Sequence, residues 1–268
     1  MEDLRTRFSR LRARIKDAIG QKAGFFVQYD YAASVSRLEF YPAVAELCAQ
    51  VDLAPVLAQL DSEAVRTDPF FRDRTGHLDT LDALIDYAVV RWARPAHIIE
   101  IGSGRSTHVL SRAVADNGTG AITCIDPAPR LDIDALPVTM HRRLASLDDV
   151  ALVAELAPND ILFIDSSHIL QPGTDCDIEF NLMFPALKSG VIVHVHDIFL
   201  PFAYPPNWYP RNWNEACGLA PWILSGAFEV VFPTYYATQE TAGQLYAAMP
   251  DYTRRGPYAG GSFWLRKR

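Results

Sequence analysis

The stretch that decides the fold is residues 97–107, which read HIIEIGSGRST. Its first five residues are mostly apolar and do not alternate with polar residues, as in a parallel strand covered on both faces. Gly102 then permits a tight turn, and Gly104 lets a ligand approach the backbone closely. Ser106 or Thr107 can cap a helix that follows. The stretch therefore predicts a strand, a glycine turn and a helix, with a ligand at the turn.

Around this stretch, residues 96 to about 201 alternate short apolar runs with helical patterns, which is typical of βαβ units and a parallel sheet. The predicted strands are HIIEI (97–101), AITCI (121–125), VTMHR (138–142), DILFI (160–164) and VIVHVH (191–196). Helices are predicted between them at about 107–115, 147–156 and 177–187. We therefore expect an α/β fold built on a doubly wound, mostly parallel sheet.

The regions before and after this core differ from it in their pattern of apolar, aromatic and proline residues. Residues 1–95 carry apolar side chains at three- and four-residue steps and predict a helical extension that covers the sheet. Residues 96–268 form the predicted main domain, with a lid rich in aromatic residues and proline at about 201–222. Two further strands are predicted from FEVVF (228–232) and SFWLRKR (262–268).

Composition and charge exclude several classes of protein. Of 268 residues, 49% are apolar and 21% are charged, which is typical of a globular protein, and no apolar run is long enough to span a membrane. The net charge of −7 disfavours a nucleic-acid partner. Four widely spaced cysteines predict reduced thiols, and the first residues resemble neither a signal peptide nor a transit peptide. A cytoplasmic protein is expected.

The first predicted helix carries basic residues around an apolar stripe. These residues are Arg5, Arg7, Arg10, Arg12, Arg14 and Lys16. Such a helix could dock on a partner helix, a second copy of the protein or an anionic surface. Packing on its own domain is the alternative. A homodimer through the N-terminal helices is therefore one prediction.

Ligands of open α/β sheets bind beyond the carboxyl ends of the strands, so the residues after each strand are the candidate site. Asp126 follows the second strand, where a carboxylate can accept both hydroxyls of a nucleoside ribose. In a dinucleotide loop the third small residue would stand where Thr107 is found. S-adenosylmethionine instead needs an acidic ribose anchor and a carboxylate near its positive charge, which Asp126 and Glu100 supply. We expect this cofactor rather than NAD, with a simple βα turn as the alternative.

Polar side chains also follow the fourth and fifth strands. The candidate catalytic residues are Asp165, His168, His196 and Asp197. Because these strands are expected beside the first strand, the two aspartates should cluster with Glu100. The group could hold a divalent cation such as Mg²⁺, or one histidine could take a proton from a methyl acceptor. A buried polar network is the alternative, and His194 in particular is assigned to the core.

Four segments together resemble the successive motifs of class I S-adenosylmethionine-dependent methyltransferases. They are IIEIGSGRST (98–107), ITCIDPAPR (122–130), DILFIDSSH (160–168) and LKSGVIVHVHDIFLP (187–201). FIDSSH and HDIFLP resemble a bacterial small-molecule branch of that family, and the resemblance extends over about residues 68–232. It implies a seven-stranded sheet whose last strand, SFWLRKR, runs antiparallel.

The resemblance also implies residue roles. Gly102, Ser103 and Gly104 would line the methionine part of the cofactor, and Asp165 would lie beside the transferred methyl group. The full predicted cofactor set is Glu100, Gly102, Ser103, Gly104, Ser106, Thr107, Asp126, Ser146 and Asp165. Ser146 belongs to the segment that replaces a glutamine found near the adenine in relatives.

The lid carries the side chains predicted to contact the acceptor. Tyr204, Trp208 and Trp213 could stack on an aromatic or sugar acceptor, with packing inside a proline-rich loop as the alternative. Residues 213–215 resemble the family's W-N-E motif, but ACGLAPW (216–222) departs from its long helix, which predicts an altered acceptor pocket. The expected activity is methyl transfer to a small molecule, at a hydroxyl oxygen. A cofactor-binding pseudoenzyme or assembly protein is the alternative.

Overall fold

The computed structural model describes residues 11, 12, 15, 38–72, 78–250 and 259–268. The strands of this part of the chain are β1 (His97–Ile101), β2 (Ala121–Ile125), β3 (Thr139–His141), β4 (Ile161–Ile164), β5 (Ile192–Val195), β6 (Phe228–Pro233) and β7 (Phe263–Lys267). They form a seven-stranded sheet in the order β3-β2-β1-β4-β5-β7-β6. Of the basic residues predicted on the first helix, all except Arg12 lie outside the described residues.

The pairing confirms a mostly parallel, doubly wound sheet. Strands β1 to β5 pair in parallel, with β1 between β2 and β4 and with β5 on the far side of β4. Strand β7 runs antiparallel to both of its neighbours, β5 and β6, as the sequence predicts. The order reverses at β1, so the carboxyl ends of β1, β2, β4 and β5 meet at the edge where this class of fold binds ligands.

The central strands are buried on both faces, which explains their apolar sequences. Every residue of β4 and β5 is buried, and only His97 of β1 is partly exposed. The observed strands are slightly shorter than predicted at β3, β4 and β5, because their terminal residues leave the ladder to enter the loops. Those loops carry the polar residues of the candidate site.

Helices cover both faces of the sheet. They are α1 (Pro42–Cys48), α2 (Ala54–Leu57), α3 (Glu63–Thr67), α4 (Pro69–Arg72), α5 (Thr80–Ala93), α6 (Arg105–Asn117), α7 (Asp149–Ala154), α8 (Asp175–Ile178), α9 (Phe184–Ala186), α10 (Glu215–Leu224), α11 (Thr234–Glu240) and α12 (Ala242–Ala248). A π-helical turn (Glu179–Met183) joins α8 to α9, and 3₁₀ turns lie at Ala58–Leu60 and Pro206–Arg211. None of the described helices is long and apolar enough to cross a membrane.

Helix α5 is the longest element before the sheet, and it packs into the sheet's own core. Asp79 caps its start by accepting a hydrogen bond from the backbone of Leu81 (2.8 Å). Its apolar face shares one core with residues of α6, β1, β4 and β7, including Phe163 and Trp264. The predicted division at residue 95 therefore separates segments that are packed together, and it stays a prediction.

The predicted lid is folded. Residues Pro206–Arg211 form the 3₁₀ turn, and Glu215–Leu224 form a ten-residue helix with Pro221 inside it. A helix thus forms where the sequence departs from the family pattern. Gly218 allows it to pack tightly, because a Cβ there would come within 2.5 Å of the Leu170 side chain.

Candidate active site

A cavity of about 730 Å³ opens at the carboxyl ends of β1, β2, β4 and β5. It is bounded by the glycine turn on one side and by the folded lid on the other. The predicted site residues that line it are Gly102, Ser103, Gly104, Ser106, Asp126, Asp165, His168, His196, Asp197, Trp208 and Trp213. The cavity therefore joins the predicted cofactor, catalytic and acceptor residues.

Four predicted residues do not line this cavity: Glu100, Thr107, Ser146 and Tyr204. Glu100 is fully buried behind the glycine turn, where it accepts hydrogen bonds from the hydroxyls of Ser106 (2.7 Å) and Thr107 (2.6 Å). Burial raises the pKa of Glu100 to about 7, although these donors oppose the shift. Glu100 therefore fixes the turn from inside and does not join the cluster of aspartates at the cavity.

Ser146 is held by its own loop. Its backbone N–H (2.8 Å) and hydroxyl (3.3 Å) both donate to the carboxylate of Asp149, which also pairs with Arg143. Its neighbours Leu144 and Ala145 are the residues of this segment that reach the cavity. They bring an apolar surface rather than a hydroxyl to the place predicted for the adenine.

The glycine turn is shaped by close contact between β1 and the end of β4. Gly102 has φ +84°, and a Cβ there would lie 2.0 Å from the carbonyl oxygen of Asp165. The sequence predicts that Ser106 or Thr107 stands just before the helix and caps its first turn. This position is wrong, because both residues lie inside the helix. Helix α6 begins at Arg105, and the Thr107 hydroxyl accepts a hydrogen bond from the Gly104 N–H (3.0 Å) one turn earlier.

Asp126 ties the end of β2 to this turn. One carboxylate oxygen accepts a hydrogen bond from the Ser103 N–H and the other from the Ala128 N–H, each at 2.6 Å. The carboxyl is partly exposed and lines the cavity. Since a carboxylate oxygen can accept more than one hydrogen bond, Asp126 keeps capacity for the hydroxyls of a ligand.

The four predicted catalytic residues lie together on the cavity floor. The Nε2 atom of His168 lies 3.5 Å from Asp165 Oδ1 and 3.7 Å from Asp197 Oδ2. The Nδ1 atom of His196 lies 3.6 Å from each of the same two aspartates. Two carboxylates and two imidazoles thus alternate around one point.

Two further carboxylates support this floor from behind. Glu215, fully buried at the start of α10, lies 2.6 Å from His168 Nδ1. Asp82 of α5 lies 3.8 Å from His196 Nε2 and accepts hydrogen bonds from the N–H groups of Gly261 (3.0 Å) and Ser262 (2.8 Å). Each imidazole is therefore held between a carboxylate at the back and the pair of aspartates at the front.

Sequence reasoning did not assign Glu215 or Asp82 to the site. For Glu215 the signal was its place in the W-N-E segment, which we interpreted only as a family resemblance. For Asp82 the signal was two carboxylates four residues apart, Asp82 and Asp86, in an otherwise apolar helix. That spacing puts both on one face, where Asp86 meets His194 of β5 and Asp82 meets His196, the residue just after β5.

The charges at the floor follow from these contacts. Burial alone would lower the pKa of His168, but Glu215, Asp165 and Asp197 outweigh it and raise the pKa to about 9. Burial raises the pKa of Glu215 as well, so the pair shares one proton. We place it on His168, because two further carboxylates face its other nitrogen. The pKa of His196 is likewise raised, against its burial, by Asp197 and Asp165.

The two front aspartates differ from each other. Burial would raise the pKa of Asp165, but the charges of His196 and His168 outweigh it and hold the pKa below its usual value. For Asp197 burial dominates, and its pKa is raised. Asp165 is therefore a fixed negative charge, and Asp197 is the carboxylate that takes up a proton more readily.

The floor is also strained. His168 (φ 62°) and Asp197 (φ 57°) both adopt left-handed backbone conformations, which cost roughly 1–2 kcal/mol each for residues other than glycine. Tertiary contacts hold them there: the His168 carbonyl accepts a hydrogen bond from the Asn214 N–H (3.1 Å), and Gly261 packs so closely that a Cβ on it would lie 3.1 Å from Asp197 Cα. Strained residues of this kind concentrate at functional sites.

His194 lies apart from this floor. It is fully buried, stacks on Phe163 with ring centroids 3.7 Å apart, and lies 3.7 Å from Asp86. Burial lowers its pKa and raises that of Asp86, so both groups favour their uncharged forms. These contacts place His194 in the core.

Asp165, His168 and Asp197 could also hold a metal ion. One ligand atom from each lies within 4.8 Å of the other two, and a set of two carboxylates and one imidazole suits a divalent cation. Because the pKa of His168 is about 9, a cation at its Nε2 would displace a proton at neutral pH.

Comparisons with known proteins found one family model and several solved structures that resemble this chain. Residues 99–198 match a family model described as a methyltransferase domain. Among solved structures, an O-methyltransferase from Bacillus cereus in complex with SAH is 11% identical with a TM-score of 0.44, covering 85% of this chain and 98% of that one. The O-methyltransferase TomG from Streptomyces achromogenes, in complex with SAM, is 14% identical with a TM-score of 0.41, covering 85% and 96%.

A search of curated proteins finds no match to the chain. The family model spans β1 to β5 and the whole floor of the cavity as far as Asp197. The motifs, the strand order and this match agree with one another. Residues 99–198 are therefore similar to a methyltransferase domain.

Proposed function

We propose that the protein transfers the methyl group of S-adenosylmethionine to a hydroxyl oxygen of a small-molecule acceptor. The observation that carries this proposal is the shared cavity, in which the glycine turn and Asp126 face the Asp165, His168 and Asp197 cluster. A volume of about 730 Å³ is in the range of small-molecule sites. We also propose, from the sequence, that the protein acts in the cytoplasm.

In this proposal the cofactor lies along the carboxyl ends of β1 and β2. The backbone of Gly102–Gly104 meets its methionine part, and Asp126 accepts hydrogen bonds from its ribose hydroxyls. Leu144 and Ala145 cover its adenine. The sulfonium charge is then directed towards Asp165, whose negative charge is the most firmly held of the front aspartates. Glu100 acts only by fixing the turn.

Methyl transfer breaks the bond between sulfur and the methyl carbon and forms a bond from that carbon to the acceptor oxygen. Positioning of the two reactants can supply about 7–11 kcal/mol of the barrier. The acceptor hydroxyl also loses a proton, and the raised pKa of Asp197 makes it the residue that we propose takes this proton. His168 and His196, both protonated at neutral pH, then stabilise the negative charge that grows on the oxygen.

A divalent cation fits the same position. Asp165, His168 and Asp197 would hold it, and when bound it would supply positive charge to the acceptor oxygen. The residues of the chain keep their other tasks in either case: Glu215 and Asp82 hold the two imidazoles, and the lid keeps water from the reacting atoms.

The experiment measures S-adenosylhomocysteine released from S-adenosylmethionine with phenol, catechol and sugar acceptors, with and without Mg²⁺. We expect turnover with at least one hydroxyl compound, and a loss of about three orders of magnitude or more in Asp165→Asn. Asp134→Asn is the matched control, because Asp134 is an exposed aspartate paired with Arg142. Cofactor binding without turnover on any acceptor would support a pseudoenzyme instead.

A further inference from the structure

Arg211 occupies an unusual position in the cavity wall. Its guanidinium carbon lies 4.2 Å from the ring centroid of Trp208 and 4.4 Å from that of Trp213. The two indoles are themselves nearly perpendicular, with centroids 5.1 Å apart. The guanidinium is therefore stacked against both rings, and all three side chains line the cavity. Such stacking fixes the direction of a side chain that would otherwise sample many rotamers.

No carboxylate among the described residues lies within 4.0 Å of the Arg211 guanidinium nitrogens. Arg142 and Arg143, also on loops beyond the sheet, each pair with an aspartate. In a chain with a net charge of −7, a positioned arginine that meets no acidic side chain in the described part of the protein can bind an acidic group of a ligand. Its planar donor groups suit a carboxylate, which it can bind through two parallel hydrogen bonds.

The position of Arg211 relative to the catalytic floor sets the size of the ligand. The ring of Trp213 lies 4.1 Å from the ring of His168, so one indole separates the guanidinium from the catalytic cluster. The 4.4 Å from the guanidinium carbon to the Trp213 ring and the 4.1 Å from that ring to the His168 ring together bound the separation of Arg211 from His168. A molecule with one aromatic ring between its hydroxyl and its acidic group is short enough to reach from His168 to Arg211. Because Arg211 covers a face of each indole, an acceptor contacts the edges and remaining faces of these rings.

Two further arginines line the cavity, and each has a different neighbourhood. Arg105 donates a hydrogen bond to the Phe70 carbonyl oxygen and stacks on the Phe70 ring, 4.3 Å from its centroid. Arg130 follows β2, its Cβ lies 3.6 Å from the position of a Cβ on Gly104, and its backbone bonds to Ser103. It therefore belongs to the glycine turn and to the cofactor. Arg211 belongs to the lid and to the acceptor.

We propose that Arg211 selects an acceptor bearing a carboxylate about one aromatic ring away from the hydroxyl that is methylated. This inference rests on the proposed methyl transfer, because that proposal places the acceptor in the part of the cavity lined by the lid residues Trp208, Arg211 and Trp213. It identifies the acceptor class as small hydroxylated aromatic acids. In this proposal Trp208 and Trp213 hold the Arg211 guanidinium in place by stacking against it.

The test compares two probes of nearly equal shape, 3,4-dihydroxybenzoate and 3,4-dihydroxybenzamide, by calorimetric titration of the full chain. It is done with and without saturating S-adenosylhomocysteine. We expect the acid to bind at least tenfold more tightly than the amide to the unaltered protein. Arg211→Gln should abolish this preference, while Arg142→Gln should keep it.

Three outcomes would overturn the inference: equal binding of acid and amide, binding of neither, or an acid preference that survives in Arg211→Gln. Failure of S-adenosylhomocysteine to bind would instead contradict the proposed function. The two failures are distinguishable because the probes are also compared without it. Arg211 is exposed and stacks at the surface of the lid, so its substitution tests recognition rather than folding.

Discussion

The two halves of the cavity are built in different ways. In the proposed cofactor half, which comprises Glu100, the turn Gly102–Gly104 and Asp126, the hydrogen bonds of the two carboxylates to Ser103, Ser106 and Thr107 stay within β1, α6 and β2 and the turns that join them. In the catalytic half, which comprises Asp165, His168, His196 and Asp197, the supporting carboxylates come from distant elements. Asp82 precedes the sheet and Glu215 follows β5.

This difference teaches what each half depends on. The side-chain hydrogen bonds of Glu100 and Asp126 can form once β1, α6 and β2 have packed, because their partners lie in or beside one βαβ unit. The catalytic half requires helix α5, the lid and the residues before β7 to be in place at once. We therefore expect substitutions in the first half to act through local geometry, and those in the second to act through charge.

The largest effect is expected at Gly102, where the two halves touch. Gly102→Ala should cost about 3–5 kcal/mol of the free energy of unfolding, since the added Cβ meets the Asp165 carbonyl and φ is +84°. Gly118→Ala is the matched control: φ is +70°, but nothing lies within 4 Å of its Cβ, so it should cost only about 1 kcal/mol. Urea denaturation measures both, and equal losses would show that the contact with Asp165 is unimportant.

The cofactor half was largely predictable from the sequence. Its residues fall within two motifs, and their positions follow from the turn, the helix start and the strand end. Glu100 is the exception, because whether a carboxylate at the fourth position of a strand points into a cavity or towards a helix depends on packing. The hydroxyls of Ser106 and Thr107 decide this by giving the carboxylate partners inside the protein.

A second, smaller effect tests the charge contacts of the catalytic half. The folded protein raises the pKa of His168 from about 6.5 to about 9, so the stabilisation from its protonated form is complete below pH 6.5 and is lost as pH rises through 9. This amounts to about 3 kcal/mol on an order-of-magnitude scale. In Glu215→Gln, the fall in the free energy of unfolding between pH 6.5 and 9.5 should be much smaller.

The measurement is urea denaturation at several pH values, with a chelator present so that metal ions do not compete. Glu229→Gln is the control, because Glu229 is an exposed glutamate near Arg266 and Arg268. It should keep the pH dependence of the unaltered protein. If Glu215→Gln keeps it too, Glu215 does not hold the proton on His168.

The smallest effect returns to the cofactor half. Asp126→Asn keeps one carbonyl oxygen for the backbone N–H groups of Ser103 and Ala128 but removes the charge and one acceptor. We expect the dissociation constant for S-adenosylhomocysteine to rise about tenfold, or about 1.4 kcal/mol. Calorimetry measures this directly, with the exposed Asp148→Asn as control. An unchanged constant would exclude Asp126 from the ribose.

In the catalytic half, only the residues that face the cavity were predictable from the sequence. Strand ends located Asp165, His168, His196 and Asp197, because parallel strands align their carboxyl ends. The two carboxylates behind the histidines were not predictable. Glu215 lies 47 residues along the chain from His168, and Asp82 lies 114 residues from His196, so no local pattern links them. Arg211 was missed for a related reason, since its role appears only when the two tryptophans stack on it.

The position of β7 has a consequence for how the protein is made. The chain is synthesised with β5 and β6 first, yet β7 lies between them in the sheet. The residues just before β7 supply the amide groups that hold Asp82 and the backbone that packs against Asp197. A growing chain on the ribosome therefore carries every cofactor motif long before it can perform catalysis. The proposed activity therefore requires residues 261–267 to have emerged and inserted between β5 and β6.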